Sequence, residues 1–139
     1  MPNWCNNNIK ITGPNKIIDK IEKIVKDESG KSGQLLNHFH PMPEGLRNTT
    51  ADGSKDKAMI KKYGYSSWYD WAVENWSTKW DVCEFHGIQK HDYGISFGFD
   101  SAWAPPIGAY QKFLDENPNV NIRTTYYEGG CDFMGIWDN

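Results

Sequence analysis

Tyr93-Gly94-Ile95-Ser96-Phe97-Gly98-Phe99 carries the sharpest periodicity in this 139-residue chain. Bulky side chains at 93, 95, 97 and 99 alternate with Gly94, Ser96 and Gly98, the two-residue repeat of a strand. The aromatic side is expected to face helices. The Gly/Ser side leaves bare backbone that another element or a ligand can approach closely. A strand of about Val82 to Ile88 precedes it, across a polar turn at Lys90-His91-Asp92, so the two read as a pair.

Just upstream, residues 68 to 81 (Trp-Tyr-Asp-Trp-Ala-Val-Glu-Asn-Trp-Ser-Thr-Lys-Trp-Asp) hold four of the seven tryptophans. Each indole brings a large apolar surface and one N–H donor, suited to a core or to a platform for flat ligands. Trp68, Trp71 and Asn75 fall at i, i+3 and i+7 on one helical face, with Trp76 close to it. Ser66 or Ser67 is placed to cap this helix, and Asp70 to sit in its first turn. Trp80 lies beyond Ser77-Thr78, past the expected helix end. Trp68 and Trp71 therefore read as core, and Trp76, Lys79 and Trp80 as a rim.

Working outward, residues 4 to 12 alternate weakly, with Cys5, Asn7, Ile9 and Ile11 on one side, and Gly13-Pro14 ends that strand. Pro14 suits the first turn of a helix in which Ile17, Ile18, Ile21, Ile24 and Val25 recur at helical spacing until Gly30 to Gly33. Leu35 to Pro43 reads as extended, because Pro41 and Pro43 disfavour helix before them. Residues 44 to 58 form a polar segment, the expected mobile loop, and Ala58 to Tyr63 a short helix. Downstream, Ala104-Pro105-Pro106 opens a helix with an Ile107, Tyr110, Phe113 and Leu114 stripe, ended by Asn117-Pro118. Strands at Asn121 to Tyr127 and Phe133 to Trp137 complete the chain.

With residues of about 34 to 64 treated as an insertion, the order is β-α-β-β-α-β plus an edge strand. This is the split βαβ order of a ferredoxin-like α+β domain: an antiparallel sheet of four to five strands with helices on one face. One domain spanning 1 to 139 is expected, long enough to bury roughly 68% of its unfolded surface.

Composition narrows the function classes. Aromatics make up 14% of residues, which argues against disorder, and the formal charge is −3. That charge lacks the basic footprint of a general nucleic-acid binder, so nucleic acid is not the expected partner. Three cysteines without CxxC spacing fit reduced thiols in a cytosol rather than a disulfide framework. No apolar run approaches the roughly 20 residues that span a bilayer, so the expected location is cytoplasmic, with no membrane partner. A homo-oligomer is among the assemblies the sequence permits.

Several blocks resemble the YubB-like ferredoxin-like family: Asn3-Trp4-Cys5-Asn6-Asn7, Pro41-Met42-Pro43-Glu44, Leu46-Arg47-Asn48-Thr49, the tryptophan helix, Phe99-Asp100-Ser101-Ala102-Trp103-Ala104-Pro105-Pro106 and Tyr127-Glu128-Gly129-Gly130. The resemblance implies the fold and an origin in bacteriophages or plasmids, with action in a bacterial host cytosol. It does not imply a chemistry, because the family is mostly uncharacterised. Two departures stand out. Ser77 replaces the family's glycine in Trp-Gly-Thr-Lys-Trp, and Ala104 replaces the serine of Ser-Pro-Pro, removing a left-handed-tolerant residue and a capping hydroxyl.

His38 and His40 on a strand would share one side, as a metal site requires, and also suggest a phosphodiesterase histidine pair. Phosphodiesterase pairs come as two separated motifs and only one exists here; Cys5, Cys83, Cys131, His86 and His91 could add metal ligands, but no spacing predicts their convergence, so no metal or other cofactor is expected. Asp70 and Glu74 at i and i+4 can face each other as an acid–base pair, yet such pairs are common on exposed helices. No nucleophile elbow or phosphate-binding loop occurs, and the expectation is a protein that acts without catalysis.

The set that most invites a ligand is Arg47, Asn48, Thr49, Trp76, Lys79, Trp80, Trp103, Tyr127 and Glu128. Indoles at 76, 80 and 103 can stack a base, contributing roughly 1–3 kcal/mol each. Lys79 and Arg47 can meet phosphate, Asn48-Thr49 can close over the ligand, and Tyr127 or Glu128 can bond ribose or base edges. The expected function is sequestration of a small nucleotide-derived host immune signal. Alternatives are antagonism of a host defence protein through exposed tryptophans, single-strand binding on the open sheet face, and phosphodiester cleavage of cyclic nucleotides. The Gly/Ser face of strand 93 to 99 weighs against single-strand binding, which wants aromatics outward.

Overall fold

The computed structural model describes residues 2–27, 34–53, 55–82 and 84–139. The expected break at Gly30 to Gly33, and Cys83, lie outside the described residues. Five strands form one antiparallel sheet in the order β2-β3-β1-β4-β5. They are β1 (Trp4–Thr12), β2 (His86–His91), β3 (Gly94–Ala102), β4 (Asn121–Glu128) and β5 (Phe133–Asp138). The helices are α1 (Asn15–Val25), α2 (Leu35–Phe39), α3 (Glu44–Arg47), α4 (Lys57–Tyr63), α5 (Trp68–Trp76) and α6 (Ile107–Glu116). The molecule is thus a mixed α+β fold with an open sheet.

Strand β1 is the keel. Ile9 lies opposite Phe97 on one side and Thr124 on the other, and Ile11 opposite Ile95 and Ile122. These side chains are all buried and form one core with Ile18 and Ile21 of α1, Trp71 and Trp76 of α5, and Tyr110 and Phe113 of α6. Burying residues of this kind contributes roughly 1.5–3 kcal/mol each, which fixes the register because a one-residue slip would turn all of them outward. The alternate positions Asn8, Lys10, Arg123 and Thr125 are exposed on the other face.

Three readings are corrected. Leu35 to Phe39 is a helix, not extended chain. Its start is held by Asp81, whose Oδ1 accepts from Leu36 N–H at 2.8 Å and whose Oδ2 accepts from Asn37 N–H at 3.0 Å. A carboxylate more than forty residues downstream thus satisfies two of the helix's orphan donors. The polar segment after Pro43 contains α3, and its Leu46 is fully buried. The first hairpin strand begins at His86 rather than Val82 and runs through His91. Tyr93 then sits in the turn at φ 59° and is 65% exposed, leaving the inward aromatic row to Ile95, Phe97 and Phe99.

Helices α5 and α6 approach closely at Gly108, where an added Cβ would lie 2.5 Å from the Asn75 carbonyl oxygen. Ser77 reinforces the contact by accepting from Gly108 N–H at 3.1 Å. Ser77 ends α5 in the left-handed region at φ 67°. The position does demand that conformation, and serine adopts it while its hydroxyl ties the two helices together.

Candidate functional site: an aromatic and cationic corner

Helix α5 begins as its sequence dictates, with Ser67 Oγ accepting from Asp70 N–H. Asp70 in turn accepts from Ser66 Oγ at 2.8 Å, so it works as part of the cap. Thr49 joins this helix to the preceding segment. Its hydroxyl donates to Leu46 O at 2.6 Å and accepts from Trp68 N–H at 2.9 Å. Those two bonds occupy Thr49, and closing over a ligand is not the geometry it shows. Asn48 is exposed at the end of α3.

Trp76 is a core residue, not a rim residue. It is buried, its ring meets Trp71 edge-on at 5.3 Å, and its Nε1–H donates to His40 O at 2.8 Å. With its donor used and its ring buried, this indole is not an exposed stacking platform. His38 packs on Phe113 and His40 on Trp71, and burial pushes both imidazoles below their ordinary range. His38 lies in α2 and His40 caps its end, so the two do not share one side of a strand.

The remaining corner residues do come together. Lys79 Nζ lies 4.7 Å from the Trp80 ring and 5.3 Å from the Trp103 ring, so one ammonium sits over two indoles. Contacts of this kind contribute roughly 0.5–1 kcal/mol at exposed sites. Trp4 lies 6.2 Å from Trp80, and Tyr69 6.2 Å from Trp103. The result is a strip running Tyr69, Trp103, Lys79, Trp80, Trp4. Trp103 is held in the left-handed region at φ 72°. Its N–H donates to Asn3 O, while Thr78 Oγ1 donates to the adjoining Ala102 O at 2.6 Å and Ser101 Oγ to Ala104 O at 2.6 Å. A non-glycine residue at positive φ costs of order 1–3 kcal/mol, and this network maintains it.

Behind Trp80 lies a small hollow of about 180 Å³, lined by Trp68, Trp76, Trp80, Met42, Arg47 and Asp81 among others. Arg47 Nη2 donates to Asn37 Oδ1 at 3.1 Å, and its Nη1 is 3.9 Å from Glu44. Asp81 also accepts from Val82 N–H at 2.8 Å. Burial pushes its carboxyl up to about 7, against the opposing pull of the three N–H donors and of Arg47. A second hollow of about 310 Å³ lies beside Trp4 and Trp80 and is rimmed by Asp81, Glu84 and Asp100.

Tyr127 and Glu128 belong elsewhere. Tyr127 is 47% exposed and lines a separate hollow with Asn6, Asn8, Met134 and Ile136. Glu128 is buried at the end of β4, where its two oxygens accept from Gly130 N–H at 2.6 Å and Cys131 N–H at 2.7 Å of the following turn. The N–H donor of Cys131, followed by that of Gly130, holds the Glu128 carboxyl below its ordinary range against burial. Both oxygens thus serve the turn.

Sequence reasoning therefore found Lys79, Trp80 and Trp103 and missed Trp4, Tyr69, Asn37 and Asp81. Trp4 had a signal, since the alternation of residues 4 to 12 put it opposite the buried row. Asp81 had none, because its partners are set by tertiary structure.

The fold and site define a class: an α+β module with an open antiparallel sheet and an aromatic, cationic surface beside the end of β3. No family model matches the chain, and no curated protein matches it. Among solved structures it is similar to the crystal structure of the protein Api92 from Yersinia pseudotuberculosis, of the family model DUF1281. The two share 12% identity at a TM-score of 0.59, over 99% of this chain and 94% of that one. At that identity the likeness shows the fold. No helix among the described residues is long and apolar enough to cross a membrane.

Proposed function

We propose that this chain is a non-catalytic binding module of the YubB-like kind, made by a phage or plasmid and acting in the host cytosol. It captures a small nucleotide-derived signal at the Trp80 corner. The observation that carries the ligand chemistry is the placement of Trp80: its ring lies under the Lys79 ammonium, and it lines the hollow that also holds Arg47. A flat ring with two cations beside it suits a base and its phosphate. The hollow of about 180 Å³ is smaller than the roughly 300–1,000 Å³ of sites that enclose whole ligands. One ring system enters, and the phosphate stays at the surface with Lys79.

The ferredoxin-like split βαβ reading draws support from the position of β3 between β1 and β2, both antiparallel to it. That reading must also accommodate α2, α3 and α4 before α5, and the fifth strand beyond β4.

The test is a calorimetric titration of AMP, cyclic AMP and cyclic di-adenylate into wild type, Trp80→Ala and Lys79→Ala. Binding by wild type with a loss of tenfold or more in Trp80→Ala is expected, from the roughly 1–3 kcal/mol of one stacked base. Equal affinity in folded variants, or no binding to any of the three, rejects the reading.

A second reading, antagonism of a host defence protein, is favoured by the exposure of the strip itself. Trp4 is 47% and Trp103 38% exposed, which suits anchors on a protein surface. Loss of partner binding in Trp4→Ala with nucleotide affinity unchanged would select it.

A further inference from the structure

On the open face of the sheet, Lys10 of β1 stands directly opposite Arg123 of β4. Both are exposed, both belong to the side opposite the buried Ile9, Ile11 and Ile122, and neither closes an ion pair among the described residues. Asp138 stands opposite Arg123 on β5 without pairing with it. Like charges set directly across a strand pair destabilise the sheet. An acidic chain that keeps two cations facing each other at the centre of an open face has the arrangement of an anion site.

The surroundings fit that ligand. Ser96 lies opposite Lys10 on β3, Thr125 lies opposite Asn8 on β4, and Gly98 lies opposite Asn8 on β3. Gly98 has no side chain, and the His86 ring occupies the space over it. A Cβ there would come within 2.2 Å of the His86 imidazole, so this glycine lets the ring lie across the sheet and form one wall. Together these groups line a hollow of about 370 Å³. The Lys10 ammonium, the Arg123 guanidinium fork and the Thr125 hydroxyl supply donors that phosphate oxygens require, while the Ser96 hydroxyl is shared with His91 Nε2 at 2.7 Å and the Asn8 amide donates to Asn6 Oδ1 at 3.3 Å.

We propose that Lys10 and Arg123, over the Ser96–Gly98 floor, form a phosphate-binding site separate from the tryptophan corner. The two cations hold one phosphate group between them, with Asn8 and Thr125 as polar flanks. The shared chemistry is a phosphate oxyanion, carried either by a free mononucleotide or by the backbone of a single strand. One phosphate needs two cations and no overall basic charge, so the chain's −3 does not oppose it.

The experiment compares thermal melting in sodium phosphate and in sodium chloride at matched ionic strength, for wild type and a Lys10→Gln/Arg123→Gln double variant. Phosphate should raise the wild-type melting temperature by mass action beyond the smaller, general rise that a kosmotropic anion gives the double variant. An equal shift in both, or none in wild type, overturns the proposal. Lys79→Gln should keep the full phosphate response; its loss would place the phosphate at the corner and also overturn the sheet site. Titrations with AMP and with an oligothymidylate of about eight nucleotides then separate the sources. Oligonucleotide affinity that exceeds that of AMP, falls with salt and drops about tenfold in the double variant marks a strand backbone. Equal affinity for both probes, with the same drop in the double variant, marks the free nucleotide.

Discussion

At the tryptophan corner Lys79 lies over two indoles, and Arg47 is held by Asn37 with Glu44 and Asp81 near it. On the open face of the sheet Lys10 and Arg123 stand opposite each other and close no ion pair among the described residues. The corner sets its cations against rings and polar partners, is assembled from four elements and their loops, and depends on burial. The sheet site depends on strand register alone. Substitutions should therefore hurt stability most where the corner meets the core, and least on the open face, where the sign reverses.

The largest expected effect separates Trp76 from Trp103. Trp76→Ala should destabilise the fold by about 3–5 kcal/mol, from the cavity it leaves and the unpartnered His40 carbonyl. Urea denaturation measures it. Trp103→Ala should cost about 1 kcal/mol or less, since its ring is exposed, its contact with Lys79 is weak, and alanine keeps the same strained turn. Similar costs for the two would mean that the corner is not divided into a sealed and an open half.

Asp81 comes next, because it links the core helix α2 to the hollow behind Trp80. Asp81→Asn should cost about 1–3 kcal/mol, since one amide oxygen cannot replace two carboxylate oxygens accepting from Leu36, Asn37 and Val82. Its pH dependence has a definite sign. The folded carboxyl, at about 7, lies above its ordinary 3.8, so between those values the folded state holds more protons than the unfolded. The Asp81 contribution to stability therefore falls as pH rises from about 4 to about 7, and the variant should lack that slope. Melting curves of both proteins across this range check it. A wild-type slope that survives in the variant would assign it to another group.

The same residue explains why part of the fold was legible and part was not. Strand β1, helix α1 and the Ile107, Tyr110, Phe113 and Leu114 stripe follow local periodicity, and local periodicity located them. Helix α2 has five residues, two prolines just after it and a cap from Asp81, so nothing near it in sequence signals a helix. In the site, Lys79, Trp80 and Trp103 were found because a polar break after α5 and the Pro105-Pro106 turn mark exposed chain. Trp76 was misassigned because it is one helical step from both faces, and the His40 carbonyl that receives its N–H lies 36 positions away. Lys10 and Arg123 were invisible as a pair until the β1–β4 register was known.

The smallest expected effect is the most discriminating one for the open face. Lys10→Gln should stabilise the protein, by a few tenths of a kcal/mol up to about 1, because it relieves the repulsion from Arg123 across the strand pair. The gain should shrink as salt rises, since both groups are exposed and screened by ions. Asp138→Asn should act in the opposite direction by a similar amount, removing the one acidic group in register with Arg123. Denaturation at low and high salt measures all of this. Were Lys10→Gln neutral or destabilising at low salt, the two cations would not be in conflict, and the sheet would have no unfavourable charge for a phosphate to relieve.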